Sequence, residues 1–299
     1  MPRLILAFTA CLILFFLSGC AGNPSVVLSG AMDAGEDGIY RLPKQIRYSF
    51  TLSNSTGKLL ETSQFWTYLP VPVTSHQKVK KITANYPYKV KRDELGNSAI
   101  YFELKSIPPY GTRIVSITVD LLMADQPAPM PVGDRARFLS REPYIESGDS
   151  RIIALAAQLH DESGAAMVQK DYEWVAKNIK SESYIAEDRG AAYAMETRKG
   201  DCTEFSYLLT ALYRNQQIPA RAIGGYVFSG NGIVKAMDYH NWAEFYLDGV
   251  WQIADAQKGV FMNKQMDYVA MRVIATEGVA ALSSQRFSFA GEGLRVEMN

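Results

Sequence analysis

Hydrophobic and polar residues alternate with a period of two along much of residues 39–122, and beyond that the period changes. Runs that alternate or are rich in β-branched residues fall at 45–52, 64–69, 79–84, 99–104 and 113–121. Turn residues separate them: Asn54-Ser55-Thr56-Gly57, Pro70-Val71-Pro72, Leu95-Gly96-Asn97 and Pro108-Pro109-Tyr110-Gly111. A strand sends alternate side chains to opposite faces, so the pattern predicts short strands spaced as in a β-sandwich. Residues 126–145 carry Pro127, Pro129, Pro131 and Pro143 without periodicity, and read as a linker. Helical spacing follows. Asp149-Ser150 offers an N-cap for 151–160, and residues 164–179 place Met167, Tyr172, Val175, Ala176 and Ile179 on one stripe. A third helix opens at Cys202, with Phe205, Leu208, Leu209 and Leu212 on a single buried face. Strands return at 221–228, 239–247, 250–254, 286–289 and 294–298. The expected class is α+β: a β-sandwich-like domain over 39–125, the linker 126–145, and a second domain over 146–299 with helices packed on an antiparallel sheet.

Charge and composition narrow the functions. Lys plus Arg number 31 and so do Asp plus Glu, which argues against wholesale nucleic-acid binding. Three cysteines rule out a disulfide framework and Cys-rich zinc modules. His76, His160 and His240 lie far apart, with no His-x-x-x-His or Cys-x-x-Cys pair, so no metal site is expected. Gly224, Gly225, Gly230 and Gly232 have the wrong spacing for a phosphate loop and read as a loop at the mouth of a site. No cofactor is expected.

The first residues read as an address. Arg3 precedes an apolar run from Leu4 to Leu17, the length of a signal-peptide core and short for a membrane span. Leu17-Ser18-Gly19-Cys20 then resembles the bacterial lipoprotein signal, which implies lipidation of Cys20 after removal of residues 1–20. By the same resemblance, Ala21 favours the periplasmic face of the outer membrane. Residues 21–38 are small and polar and read as a flexible tether. Cys11 leaves with the signal and Cys20 carries lipid, so Cys202 is the one free thiol in an oxidising compartment. Either it is buried and inert, or it is kept for its chemistry.

Position favours chemistry. A helix N-terminus offers unsatisfied N–H groups and the positive end of the dipole, which stabilise a thiolate. Asp201 and Glu204 flank the thiol and would raise its pKa, so they read as helix-N-terminal charges or as substrate-binding groups. A partner for the sulfur comes from register. Asp248-Gly249 between two β-patterned runs predicts a type I′ turn that sets Leu247 opposite Val250. Asp255 then faces Trp242 and lies diagonal to His240, within reach of a carboxylate–imidazole hydrogen bond. Such a carboxylate fixes the tautomer and leaves the other ring nitrogen to take the thiol proton.

These residues also carry a resemblance. Residues 198–205 (RKGDCTEF), with Leu212-Tyr213-Arg214 and Ile218-Pro219-Ala220-Arg221, resemble the cysteine block of the transglutaminase-like superfamily. Residues 239–251 (YHNWAEFYLDGVW) resemble its histidine block and Ile253-Ala254-Asp255 its aspartate block. The resemblance covers about 148–260 and departs at Asn241, where a small residue is commoner. It implies a papain-like core and thiol acyl transfer, with Cys202 as nucleophile, His240 as base and then acid, and Asp255 as its orienter. It also implies an oxyanion donor at the Cys202 backbone N–H, with Trp174 or Tyr184 as candidates for the second. Tyr226, Tyr239 and Trp242 are candidate cleft residues.

Two functions follow. One is an envelope-anchored cysteine enzyme that cleaves or transfers amides of a protein or peptide substrate, such as a cell-wall peptide. The other is a lipoprotein adaptor that keeps the fold without turnover. The partner of the β domain is not legible in the residues.

Overall fold

The computed structural model describes residues 38–184, 186–274 and 285–299. The expected leader 1–20, Cys20 and the tether up to residue 37 lie outside them. The first half contains β1 (Tyr40–Asn54), β2 (Leu60–Leu69), β3 (Gln77–Ala84), β4 (Tyr88–Arg92), β5 (Ser98–Ile107) and β6 (Thr112–Ala124). The second half runs α1 (Ser150–Leu159), α2 (Gly164–Asn178), β7 (Lys180–Ser181), α3 (Gly190–Thr197), β8 (Lys199–Gly200) and α4 (Cys202–Asn215). It continues with β9 (Ala220–Val227), β10 (Gly232–Ile233), β11 (Tyr239–Leu247), β12 (Val250–Asp255), β13 (Val260–Phe261) and β14 (Tyr268–Val273). The last strands are β15 (Phe287–Ala290) and β16 (Leu294–Met298). No helix among the described residues is long and apolar enough to cross a membrane.

Two sheets make the expected sandwich. One has the order β10-β1-β6-β3 with β16 also on β1, and the other β15-β2-β5-β4. Along β1 every second residue from Lys44 is buried, so Ile46, Tyr48, Phe50 and Leu52, with Ile117 beside them on β6, face Phe65 and Phe102 in the core. The boundary read from the sequence needs correction. Strands 287–290 and 294–298, assigned there to the second domain, pair with β2 and β1 and complete the sandwich.

The second half is built on an antiparallel sheet, β13-β12-β11-β9-β14. Its inner face carries small residues, Ala220, Ala222, Ala243 and Ala254, and these leave room for α4. The sequence predicts one buried face for α4, yet every residue from Thr203 to Arg214 is buried. The sheet covers one side and α1, α2 and α3 the others, so even Arg214 is enclosed. Its guanidinium donates to Ala220 O, Ser140 O and Glu142 Oε1. β14 and α3 are not apparent in the residue pattern. Tyr226, Val234, Val269 and Met271 join the sandwich core, so the two halves pack directly on each other, while the helices keep a core of their own.

Candidate active site

Cys202 is the first residue of α4, and its helix start is fully capped. The Thr203 backbone N–H donates to Asp201 Oδ1 at 2.8 Å, and the Asp201 N–H donates to Glu204 Oε2 at 3.0 Å. This reciprocal pair is a capping box, which satisfies two of the helix's orphan donors. Glu204 also accepts from Arg189 N and Nη2 and is 1% exposed, so it serves the helix rather than solvent. A Cβ on Gly200 would come within 2.4 Å of Glu204 Cβ, which explains the glycine two residues before the thiol.

The β11–β12 ladder has the register expected from the turn. Leu247 faces Val250 and Ala243 faces Ala254, with Asp248 and Gly249 both at positive φ. Asp255 therefore stands diagonal to His240, and His240 Nε2 lies 2.7 Å from Asp255 Oδ2. Both side chains are buried. Asp255 Oδ1 accepts the Lys258 N–H at 3.0 Å, and Oδ2 also accepts the Tyr268 hydroxyl at 2.7 Å.

Asn241 connects the strand to the helix. Its backbone N–H reaches the Cys202 sulfur, and its Nδ2 donates to Thr203 Oγ1 at 3.0 Å. The Asn241 side chain thus points away from His240, as strand alternation requires, and the strand start is fastened beside the thiol. Burial pushes the Cys202 thiol up to about 11, and the Asp201 charge adds to it. The Asn241 N–H and Thr203 hydroxyl pull the other way, and Asp255 raises it further. At neutral pH this sulfur rests as a thiol.

The other sequence candidates scatter. Tyr226 and Trp242 are 4% and 1% exposed, so both sit in the core instead of lining an open cleft. The Trp242 ring meets Tyr268 edge-on at 5.0 Å, and the Tyr226 hydroxyl points at Met298 Sδ. Tyr239 is half-buried and accepts from Arg272 Nε at 3.1 Å. Trp174 lies on α2 under the Arg198 guanidinium, 4.4 Å away, packed against the helical core. Tyr184 is exposed, just past the parallel β7–β8 pairing that leads into Cys202. Gly224 and Gly225 lie inside β9, not in a loop. A Cβ on Gly224 would meet the Tyr239 hydroxyl at 2.2 Å, and one on Gly225 would meet the Val269 carbonyl of β14 at 2.1 Å and Trp242 Cη2 at 2.7 Å, so the first makes space for an aromatic side chain and the second for the neighbouring strand. Tyr268 is the site residue that sequence reasoning missed. It lies on the unanticipated β14, beyond the three blocks, and nothing local marks it.

The family model described as Transglutaminase-like superfamily matches residues 153–256. A solved structure of a candidate cysteine protease from Cytophaga hutchinsonii shares 20% identity and covers 86% of this chain and 92% of its own, with a TM-score of 0.55. The periplasmic domain of TgpA from Pseudomonas aeruginosa shares 15% identity over 67% of this chain and 88% of its own, with a TM-score of 0.37. No curated protein sequence matches the chain. The first structure is similar in fold; the second is a distant likeness.

Proposed function

We propose that the chain, whose residues 153–256 match the transglutaminase-like model, is a cysteine enzyme that works on amides through a thioester at Cys202. His240 Nδ1 takes the thiol proton, and Sγ bonds to the amide carbonyl carbon. The carbonyl oxygen becomes an oxyanion facing the Cys202 backbone N–H. Collapse breaks the C–N bond, and the imidazolium returns its proton to the leaving amine or ammonia. Water or an acceptor amine then attacks the thioester, with His240 again as base. Hydrolysis is the proposed outcome, because water is always present and an amine must be recruited. The substrate class is a protein or peptide, such as a cell-wall stem peptide, met at the envelope where a lipid on Cys20 would hold the chain.

The observation that carries this reading is the 2.7 Å contact between His240 Nε2 and Asp255 Oδ2, on the strand fastened to the start of α4. It leaves Nδ1 free for the thiol. The burial of the thiol, which pushes it up to about 11, favours a second reading, a non-catalytic adaptor. Alkylation of Cys202 against pH separates the two, in a chain beginning at Ala21 where it is the sole thiol. For an enzyme the rate stays high well below the free-thiol value of about 8.5, and His240→Ala loses that arm. Equal, slow profiles in both proteins would support the adaptor and overturn the enzyme.

A further inference from the structure

Asp255 Oδ2 is the meeting point of two side chains from different strands. His240 Nε2 lies 2.7 Å from it, and the Tyr268 hydroxyl donates to it at 2.7 Å. Tyr268 is 2% exposed and its ring is fixed edge-on against Trp242. The carboxylate is thus held on both oxygens, by Lys258 N–H on one and by Tyr268 on the other.

Tyr268 is itself held from the sandwich. Gln77, at the start of β3, donates from Nε2 to Ala270 O at 2.9 Å and accepts the Ala270 N–H on Oε1 at 2.9 Å. Asn97 does the same with Val273, its Oδ1 accepting the N–H at 2.6 Å and its Nδ2 donating to the carbonyl at 2.9 Å. Two amide side chains thus stand where, among the described residues, no strand pairs with the outer edge of β14. The Val71 N–H adds a further bond to Ala270 O at 2.9 Å. All of these groups are buried. An edge strand left with open N–H and C=O groups would be free to shift; this one is pinned two residues from Tyr268.

We propose that Tyr268 is a positioning residue for the His240–Asp255 pair, and that the β domain holds it in place through Gln77 and Asn97. The inference rests on the catalytic reading of that pair. It gives the sandwich a part in the site: it supplies the clamp for the strand that aims the carboxylate.

The test reads the imidazole directly. The chain has three histidines, so ring-nitrogen NMR of the full chain, with His240 assigned by its loss in His240→Gln, is tractable. In the wild type His240 should hold one tautomer, protonated on Nε2 with the proton protected from exchange. Tyr268→Phe keeps the ring against Trp242 and removes only the hydroxyl. It should cost the single tautomer, the two nitrogen shifts moving toward each other, and speed exchange of the Nε2 proton at least about tenfold, as loss of about 1.4 kcal/mol would. Gln77→Ala should move both in the same direction. Tyr226→Phe, which removes a buried hydroxyl elsewhere in the core, should move neither. An unchanged tautomer in Tyr268→Phe, or an equal change in Tyr226→Phe, overturns the positioning role. A response to Tyr268→Phe but not to Gln77→Ala overturns the part given to the sandwich. Because the readout is the ring and not the thiol, slow alkylation of Cys202 would overturn the enzyme while this result stood or fell by itself.

Discussion

His240 and Asp255 are brought together by a turn that neither residue touches. Asp248 (φ 51°) and Gly249 (φ 84°) are both left-handed, as a type I′ turn requires, and the turn makes Leu247 face Val250. Counting back along that ladder sets the carboxylate diagonal to the imidazole, at 2.7 Å. The geometry of the candidate site is thus carried by two residues on the far side of the strand pair.

Gly249→Val tests this directly. No atom lies within 4 Å of where its Cβ would be, so the substitution acts through backbone conformation alone. A β-branched residue held at positive φ should cost about 1–2 kcal/mol, seen as a lower unfolding temperature. Where the strain is relieved by a slipped register, the low-pH arm of Cys202 alkylation goes with it. An unchanged melting temperature would mean that the flanking strands, not the turn, fix the register.

Asp201→Asn separates a structural role from an electrostatic one. Asn caps helices as well as Asp, so the bond from Thr203 N survives and stability should change by less than about 1 kcal/mol. The charge is lost, and that charge is the second cause of the raised thiol. Removing a nearby anion favours the thiolate, so the alkylation profile of the variant should move to lower pH. A profile that moves up, or a loss of fold, would show that the carboxylate does more than cap.

Much of this site is legible in the residues because its determinants are local. Asp149, Asp201 and the Asp248-Gly249 turn set helix starts and a register by short-range geometry, and each stands where the pattern puts it. Trp242 and Tyr226 are instead decided by what packs over them. An aromatic residue in a strand looks the same whether it faces a cleft or a second layer, and here the layers are Tyr268 and the sandwich core. Tyr268, Gln77 and Asn97 lie beyond sequence reach for a third reason. Their partners are 13, 193 and 176 residues away, and no spacing rule joins them. The same holds for β15 and β16, whose pairing partners lie at the other end of the chain.

Arg221 and Glu244 form an enclosed ion pair across β9 and β11. Nε and Nη2 both donate to Glu244 Oε2, at 2.9 and 2.7 Å, and the guanidinium lies 4.0 Å over the Trp251 ring. Glu244→Leu leaves a buried cation without its partner and should destabilise by about 3–5 kcal/mol. Replacing both, Arg221→Met with Glu244→Leu, should cost much less than the sum of the two single changes, because the stranded charge is the main penalty. Urea unfolding of the four proteins closes this cycle. Additive costs would mean that the pair contributes packing and little electrostatics.

Asp171 makes stability depend on pH in the direction opposite to most carboxylates. It lies on α2 with no exposed surface, and among the described residues its two oxygens meet only Gln216 Nε2, at 2.7 Å each. Burial lifts its pKa to about 8, with the Gln216 bond pulling partly back. The folded chain therefore keeps this proton at pH values where the unfolded chain, titrating near 3.9, has lost it. Stability should fall as pH rises from about 4 to about 8, and level off above. Gln216 Oε1 is buried without a partner, so Asp171→Asn can pair the two amides, one bond in each direction. Asn carries no proton to lose. The variant should gain little at pH 5 and about 1–3 kcal/mol at pH 8, read from urea midpoints at the two pH values. A gain that is the same at both would mean that Asp171 is already ionised in the folded chain, with Gln216 Nε2 as its sufficient partner.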